Sequence, residues 1–290
     1  MAETELPREF RMQLRPPRIA WPTVVLFFVC MAGLTGVSAL ALNGQIPLVA
    51  GCIVNGVIVY FLFSVVHDAS HRAISEIGWL NEAIGHIGLF FFGPLAPFDF
   101  ARWIHMQHHR FTNDALKDPD HFGHKMDLFT PLRWLNFDYY YTLFFLQQAG
   151  DIRKKYAGRV IAQAFLIIGL LAAAAYSGYL LEALLLWIVP TRISSFLFVA
   201  MFVYLPHAPF SHTSQENEYK ASNIRAGWEW LLTPLMAYQN YHLVHHLYPR
   251  APFYRMLKIW NARLDQHLAN EPYFVKTFGV SARDVSSNAS

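Results

Sequence analysis

The residues from Trp21 to His67 contain no Asp, Glu, Lys or Arg, and those from Val160 to Pro206 contain only Glu182 and Arg192. Runs of this length are membrane-sized, because about 20 apolar residues rising 1.5 Å each cross the hydrocarbon core. Each run has room for two crossings. Asn43-Gly44-Gln45 with Pro47 divides the first into spans at about 21–42 and 47–66, and Ser177-Gly178 divides the second into about 160–176 and 180–206. Composition agrees: of 290 residues 54% are hydrophobic and 15% charged, against about 25% charged in soluble domains. A water-soluble globule and a disordered chain are excluded. So is a disulfide scaffold, since Cys30 and Cys52 both lie inside the first apolar run, where a thiol behaves as a small hydrophobe.

The two runs are expected to form two helical hairpins. Their connectors at 43–47 and 177–179 carry no Lys or Arg, whereas the flanks hold Arg8, Arg11, Arg15 and Arg18 before the first and Arg153, Lys154, Lys155 and Arg159 before the second. By the positive-inside rule the flanks and both termini are expected on the cytoplasmic side. The first run far exceeds the apolar stretch of a secretory signal and reads as retained. Ile84 to Phe98, interrupted by Gly85, Gly88, Gly93, Pro94 and Pro97, is too short to span and reads as interfacial or re-entrant. Trp134 to Phe145 reads as an aromatic helix at headgroup level. The expected architecture is one all-α integral membrane domain over 1–290. It has four transmembrane helices, a cytoplasmic helical cap from 67–159 and 207–262, and a solvated tail at 263–290. A net charge of +3 without a basic cluster gives no nucleic-acid footprint.

Eight of the 14 histidines fall in three five-residue windows: His67 and His71 in HDASH, His105, His108 and His109 in HMQHH, and His242, His245 and His246 in HLVHH. On a helix, residues three and four apart share a face, so each window presents its imidazoles together. Neutral imidazole is the commonest nitrogen ligand for transition metals. One ion could not use eight of them, and two ions are the natural count. The first window ends the second span and the other two lie on non-spanning segments, so all three meet on the cytoplasmic side. In YLPHAPFSH, His207 follows the fourth span directly and can complete the ligand shell, or else cap the helix as an interfacial histidine. His212, in the same stretch and at the same depth, is the other candidate to complete the shell, with His207 favoured; His86 and His267 are expected to be satisfied or solvated, and His121 and His124 to hydrogen-bond or face water in a polar loop. Asp68, Asp118 and Asp120 are candidates to receive the free N–H of ligating imidazoles; helix capping and a turn at Pro119 remain equally open for them.

These boxes, HxxxH, HxxHH and HxxHH in order over about residues 60–255, resemble the membrane fatty acid desaturase and hydroxylase superfamily. NEAIGHIG before the second box, HMQHHRFTN and DPDHF at it, YLPHAPF, and QNYHLVHHLYP closing with APFY are similar to the cyanobacterial-type β-carotene hydroxylases. The resemblance implies a di-iron centre of two Fe2+ held by His67, His71, His105, His108, His109, His242, His245 and His246, with His207 matching an extra histidine, and O2 as co-substrate. Animal acyl-CoA desaturases have four residues between the first-box histidines where this chain has three. Front-end desaturases put Gln where this chain keeps His242, and alkane hydroxylases space their boxes differently.

Oxidising an unactivated or allylic C–H bond is beyond any amino-acid side chain, so the metal must carry it. The chain has no dinucleotide fingerprint and no cysteine spacing for an iron–sulfur cluster, which implies an external electron donor such as ferredoxin. The lipophilic substrate is expected to arrive from the surrounding membrane lipids. The expected activity is hydroxylation of the β-ring of a carotenoid. A fatty acyl lipid desaturase or hydroxylase is the alternative, and a histidine-rich metal transporter or sensor a more distant one. Arg192, just after Pro190, is expected to face the bundle, in a structural pairing rather than a substrate role.

Overall fold

The computed structural model describes residues 6–283. It is mostly helical, and four helices are long and apolar enough to cross a membrane: α2 (Trp21–Leu42), α3 (Leu48–Ser70), α8 (Gly150–Tyr176) and α9 (Leu180–His207). Before the first lies α1 (Arg8–Leu14). Two spans are longer than the charge pattern predicts. α3 runs past Val66 to Ser70, so that His67 is helical, and α8 starts at Gly150, with its basic first turns continuing the helix. α9 carries two π-type stretches, Leu184–Ile188 and Val199–Tyr204. Such widened turns are frequent at functional sites, and the second ends at Leu205–His207.

The core lies around α3, whose buried face meets α2 and α9. Close approach to α9 is set at Gly56, where a Cβ would sit 2.7 Å from Cβ of Ile193. α8 exposes almost all of its surface. It is tied to the rest by Gln163, whose amide donates to Pro94 O at 2.8 Å, and by an Arg159–Asp99 ion pair.

Between the second and third spans lie α4 (Gly78–Phe92), α5 (Phe98–Phe111), α6 (Thr130–Leu135) and α7 (Phe137–Leu146). The apolar break at 84–98 is thus helical to Phe92 and turns at Gly93-Pro94. Gly88 fits against Val66, and Gly85 lies under the Phe98 ring. The aromatic segment is two short helices packed on α9, with Trp134 5.4 Å from both Phe196 and Tyr204, and Phe137 5.3 Å from Phe198.

The segment after the fourth span departs from expectation. It contains α10 (Glu229–Leu235), α11 (His242–Leu247), α12 (Met256–Ala262) and α13 (Leu264–Leu268), together with a small sheet that an all-α reading omits. In it β1 (Asn223–Ala226) pairs in parallel with β2 (Tyr273–Lys276), which pairs antiparallel with β3 (Ala282–Arg283). Residues 263–283 are therefore packed structure rather than a solvated tail; 284–290, like 1–5, lie outside the described residues. His267 is 1% exposed and stacks on Trp260 at 5.0 Å and 5°. The polarity of this segment misleads because few of its apolar residues reach the core, Val275 of β2 among them at 1% exposed.

Candidate metal centre

Four segments bring the histidines together. α3 supplies His67 and, at its end, His71. α5 supplies His105, His108 and His109 from one face, and α11 supplies His242, His245 and His246. His207 closes α9. The nine form two clusters whose ring nitrogens lie within 4.8 Å of one another: His67, His71, His105, His109 and His245 in one, and His108, His207, His242 and His246 in the other. Each of the second and third windows is divided between the clusters. The i, i+4 pairs His105/His109 and His242/His246 stay together, while His108 and His245 cross over.

The spacing inside each cluster fits a shared cation. Nε2 of His71 and His105 are 2.8 Å apart, Nε2 of His109 and His245 2.9 Å, Nε2 of His242 and His246 3.1 Å, and Nε2 of His207 and His246 3.2 Å. With metal–nitrogen bonds of about 2.1 Å, neighbouring ligands at right angles are about 3 Å apart. His67 is 2% exposed, and neither of its ring nitrogens has a hydrogen-bond partner among the described residues. A buried polar atom left so is costly, and a metal ion satisfies it. Burial, reinforced by neighbouring rings, holds His71, His105, His109, His242, His245 and His246 well below the ordinary imidazole range. They are neutral, the form that ligates.

Partners on the outer nitrogens aim the inner ones. His207 Nδ1–H donates to Val203 O at 2.7 Å, and His242 Nδ1–H to Gln239 Oε1. His108 Nδ1–H donates to Asp118 at 2.9 Å, with Asp120 at 3.4 Å. Burial alone would lower His108, but these two carboxylates overcome it and raise it to about 9. Asp118 is itself held by the backbone N–H groups of Asn113 and Asp120, and Asp120 accepts from Tyr141 Oη at 2.6 Å. Asp68 stands elsewhere. As the residue after His67 it points about 100° away around α3, where it accepts from Thr23 Oγ1 at 2.9 Å and from the Phe253 N–H at 3.2 Å, tying the loop after α11 to the spans.

Several supporting residues carry no sequence signal. The last-turn carbonyls of α9 need donors. Asn223 Nδ2 supplies them to Leu205 O and Ala208 O, and the fully buried Arg225 bonds Leu205, Thr277 and Gly279 carbonyls. The sheet thereby fixes the turn that carries His207. Arg102 joins α5 to α3 through Ala69 O at 3.3 Å, and to α4 through Glu82 at 2.8 Å. Of the remaining histidines, His124 stacks on Phe210 at 4.1 Å and His212 meets Tyr273 Oη at 3.0 Å.

Beside the first cluster opens a cavity of about 470 Å3, within the usual size range for small-molecule sites. His67 and His105 line it together with Phe63, Phe92, Phe100 and Phe198, and Val160 and Ala164 of α8 form another wall. Arg192 also reaches it. As expected it is paired: Nη1 donates to Asp138 at 2.9 Å and 3.1 Å and to Leu135 O at 3.1 Å, and Nε to Thr191 Oγ1 at 3.1 Å.

Comparison with known proteins gives concordant relatives. A beta-carotene ketolase of Paracoccus sp. (strain PC1) is 27% identical over 67% of this chain and 72% of its own. An sn-1 oleoyl-lipid 12-desaturase of Anabaena variabilis is 37% identical over 39% of this chain, an alignment spanning only 31% of that enzyme's length. The dihydrorhizobitoxine desaturase of Bradyrhizobium elkanii is 28% identical over 70% of this chain and 64% of its own. The family model described as fatty acid desaturase matches residues 44–277, which contain both histidine clusters and all four cluster-bearing segments. With four helices long and apolar enough to cross a membrane, the chain belongs to the fatty acid desaturase family.

Proposed function

We propose that this protein uses two iron ions and O2 to oxidise a C–H bond of a lipophilic substrate that enters the cavity from the bilayer. The observation that carries the reading is the contact between a largely aromatic cavity and the first histidine cluster through His67 and His105. The nine clustered histidines would hold the irons, five at one and four at the other, and the irons would supply O2 activation. Phe63, Phe92 and Phe198 exclude water and align the substrate beside His67 and His105. Asp118 holds the Nδ1–H of His108 and turns Nε2 into the second cluster, where a bound iron would take the place of the second ring proton. The non-spanning segments face the cytoplasm, where an external donor such as ferredoxin delivers electrons; the basic flanks at 8–18 and 153–159 support this side.

Two substrates follow from different observations. The β-ring of a carotenoid is supported by the text around the boxes and by the ketolase, which aligns along most of its length. The acyl chain of a membrane lipid is supported by the oleoyl-lipid desaturases, whose identity is higher over shorter stretches. Expression in cells accumulating β-carotene, followed by pigment and fatty-acid chromatography, separates them. New hydroxylated pigment selects the first, and unchanged carotene with altered acyl chains selects the second. Two irons per chain with O2-dependent product supports the enzyme, and bound zinc without turnover identifies a metal carrier. His245→Ala should abolish both iron loading and turnover, and full activity in that variant would remove the third window from the ligand set.

A further inference from the structure

The cavity is apolar along most of its wall, yet one part of it is formed by an ion pair between Arg192 of the membrane-spanning α9 and Asp138 of α7. α3 and α9 run side by side with Phe63 and Phe198 in ring contact at 4.4 Å. His67 lies four residues beyond Phe63, and Arg192 six residues before Phe198, in the opposite direction. At 1.5 Å per residue, Arg192 is thus roughly 15 Å deeper than His67, and the close approach of Gly56 to Ile193 gives the same depth. Nε and Nη1 of Arg192 are engaged by Thr191, Leu135 and Asp138, but the two Nη2 N–H groups find no acceptor among the described residues. Asp138, Asn136 and Thr142 line the cavity beside it. A cation at this depth is costly unless satisfied. Arg192 itself lines the cavity, within reach of a substrate held there.

We infer that Arg192, held by Asp138, is a substrate-binding group that takes an oxygen acceptor, an ester carbonyl or a keto or hydroxyl oxygen, on the part of the substrate remote from the oxidised carbon. This rests on the lipophilic-oxidation reading and narrows its substrate to an oxygen-bearing lipid. A pure hydrocarbon leaves the two N–H groups unpaired. The oxygen can belong to the ester of an acyl lipid or to an oxygenated isoprenoid, and the oxidised carbon should lie at a fixed count from it.

The iron-loaded full chain in lipid nanodiscs, supplied with a reducing system, is offered an oleoyl ester, the matching hydrocarbon alkene, a keto-carotenoid and β-carotene. Wild type should prefer an oxygenated member over its hydrocarbon partner in kcat/KM by roughly ten- to a hundredfold, as for a charge-assisted hydrogen bond. Which pair shows the preference identifies the source of the oxygen. Arg192→Lys keeps a cation for Asp138 but removes the Nη2 donors; it should lower that preference towards one with iron content unchanged. Moving the ester oxygen along the chain in wild type should move the oxidised position with it. Equal turnover of hydrocarbon and oxygenated partners, or a position independent of the oxygen, overturns the inference and leaves the broader reading standing. Failure to oxidise any of the four compounds overturns that broader reading itself.

Discussion

Asp118 shows how much of a metal centre lies behind its ligands. It accepts the Nδ1–H of His108 while two backbone N–H groups hold it in place, so one carboxylate sets the tautomer and the ring angle of a histidine in the second cluster. Asp118→Ala should weaken metal binding at the four-histidine cluster by about ten- to a hundredfold, leaving the five-histidine cluster loaded. Metal titration followed spectroscopically checks this. His267 matters for a different reason. Burial, with Arg263 nearby, lowers it to about 4 from 6.5, so the folded state resists its protonation. Its stabilising packing is complete above about pH 6.5 and is lost as pH falls towards 4, by at most about 1.4 kcal/mol per pH unit. In His267→Phe this part of the acid dependence of Tm should disappear, while iron content at neutral pH stays that of wild type.

The elements meet through a few places where no side chain fits. Phe98, the first residue of α5, lies against Gly85 of α4, so a methyl group at 85 must displace the start of the helix that feeds both clusters. Gly85→Ala should lower bound metal at both poles with helix content preserved, read by metal analysis beside circular dichroism. At Gly56 the obstacle is the β-branched carbon of Ile193. Gly56→Ala should cost about 1–3 kcal/mol through overpacking, measurable as a lower thermal midpoint in nanodiscs. These glycines look alike in the sequence, and neither advertises its contact. The spans themselves were legible, because a charge-free run is a local property. Their ends were not: Gly150–Val160 of α8 continues a helix through basic residues, which membrane hydropathy does not favour and helix propensity does.

Across the whole molecule, each histidine cluster joins distant segments, the first over 178 positions from His67 to His245. Metal binding is therefore coupled to the association of the non-spanning segments. Chelation should loosen 98–124 and 205–262 while α2 and α3 keep their protection, as hydrogen exchange would show; uniform protection without metal would make the clusters preformed by packing alone. By itself the sequence determined the four apolar helices, the three imidazole-bearing faces and two metal ions as their natural count, since each follows from spacing within one segment. Only the tertiary structure decided that His108 leaves His105 and His109 to join His207, that Asp68 serves a loop, that residues 263–283 complete a sheet, and that Arg192 meets Asp138 in the cavity. Those outcomes depend on packing between segments distant in the chain, where neither periodicity nor charge pattern specifies a partner.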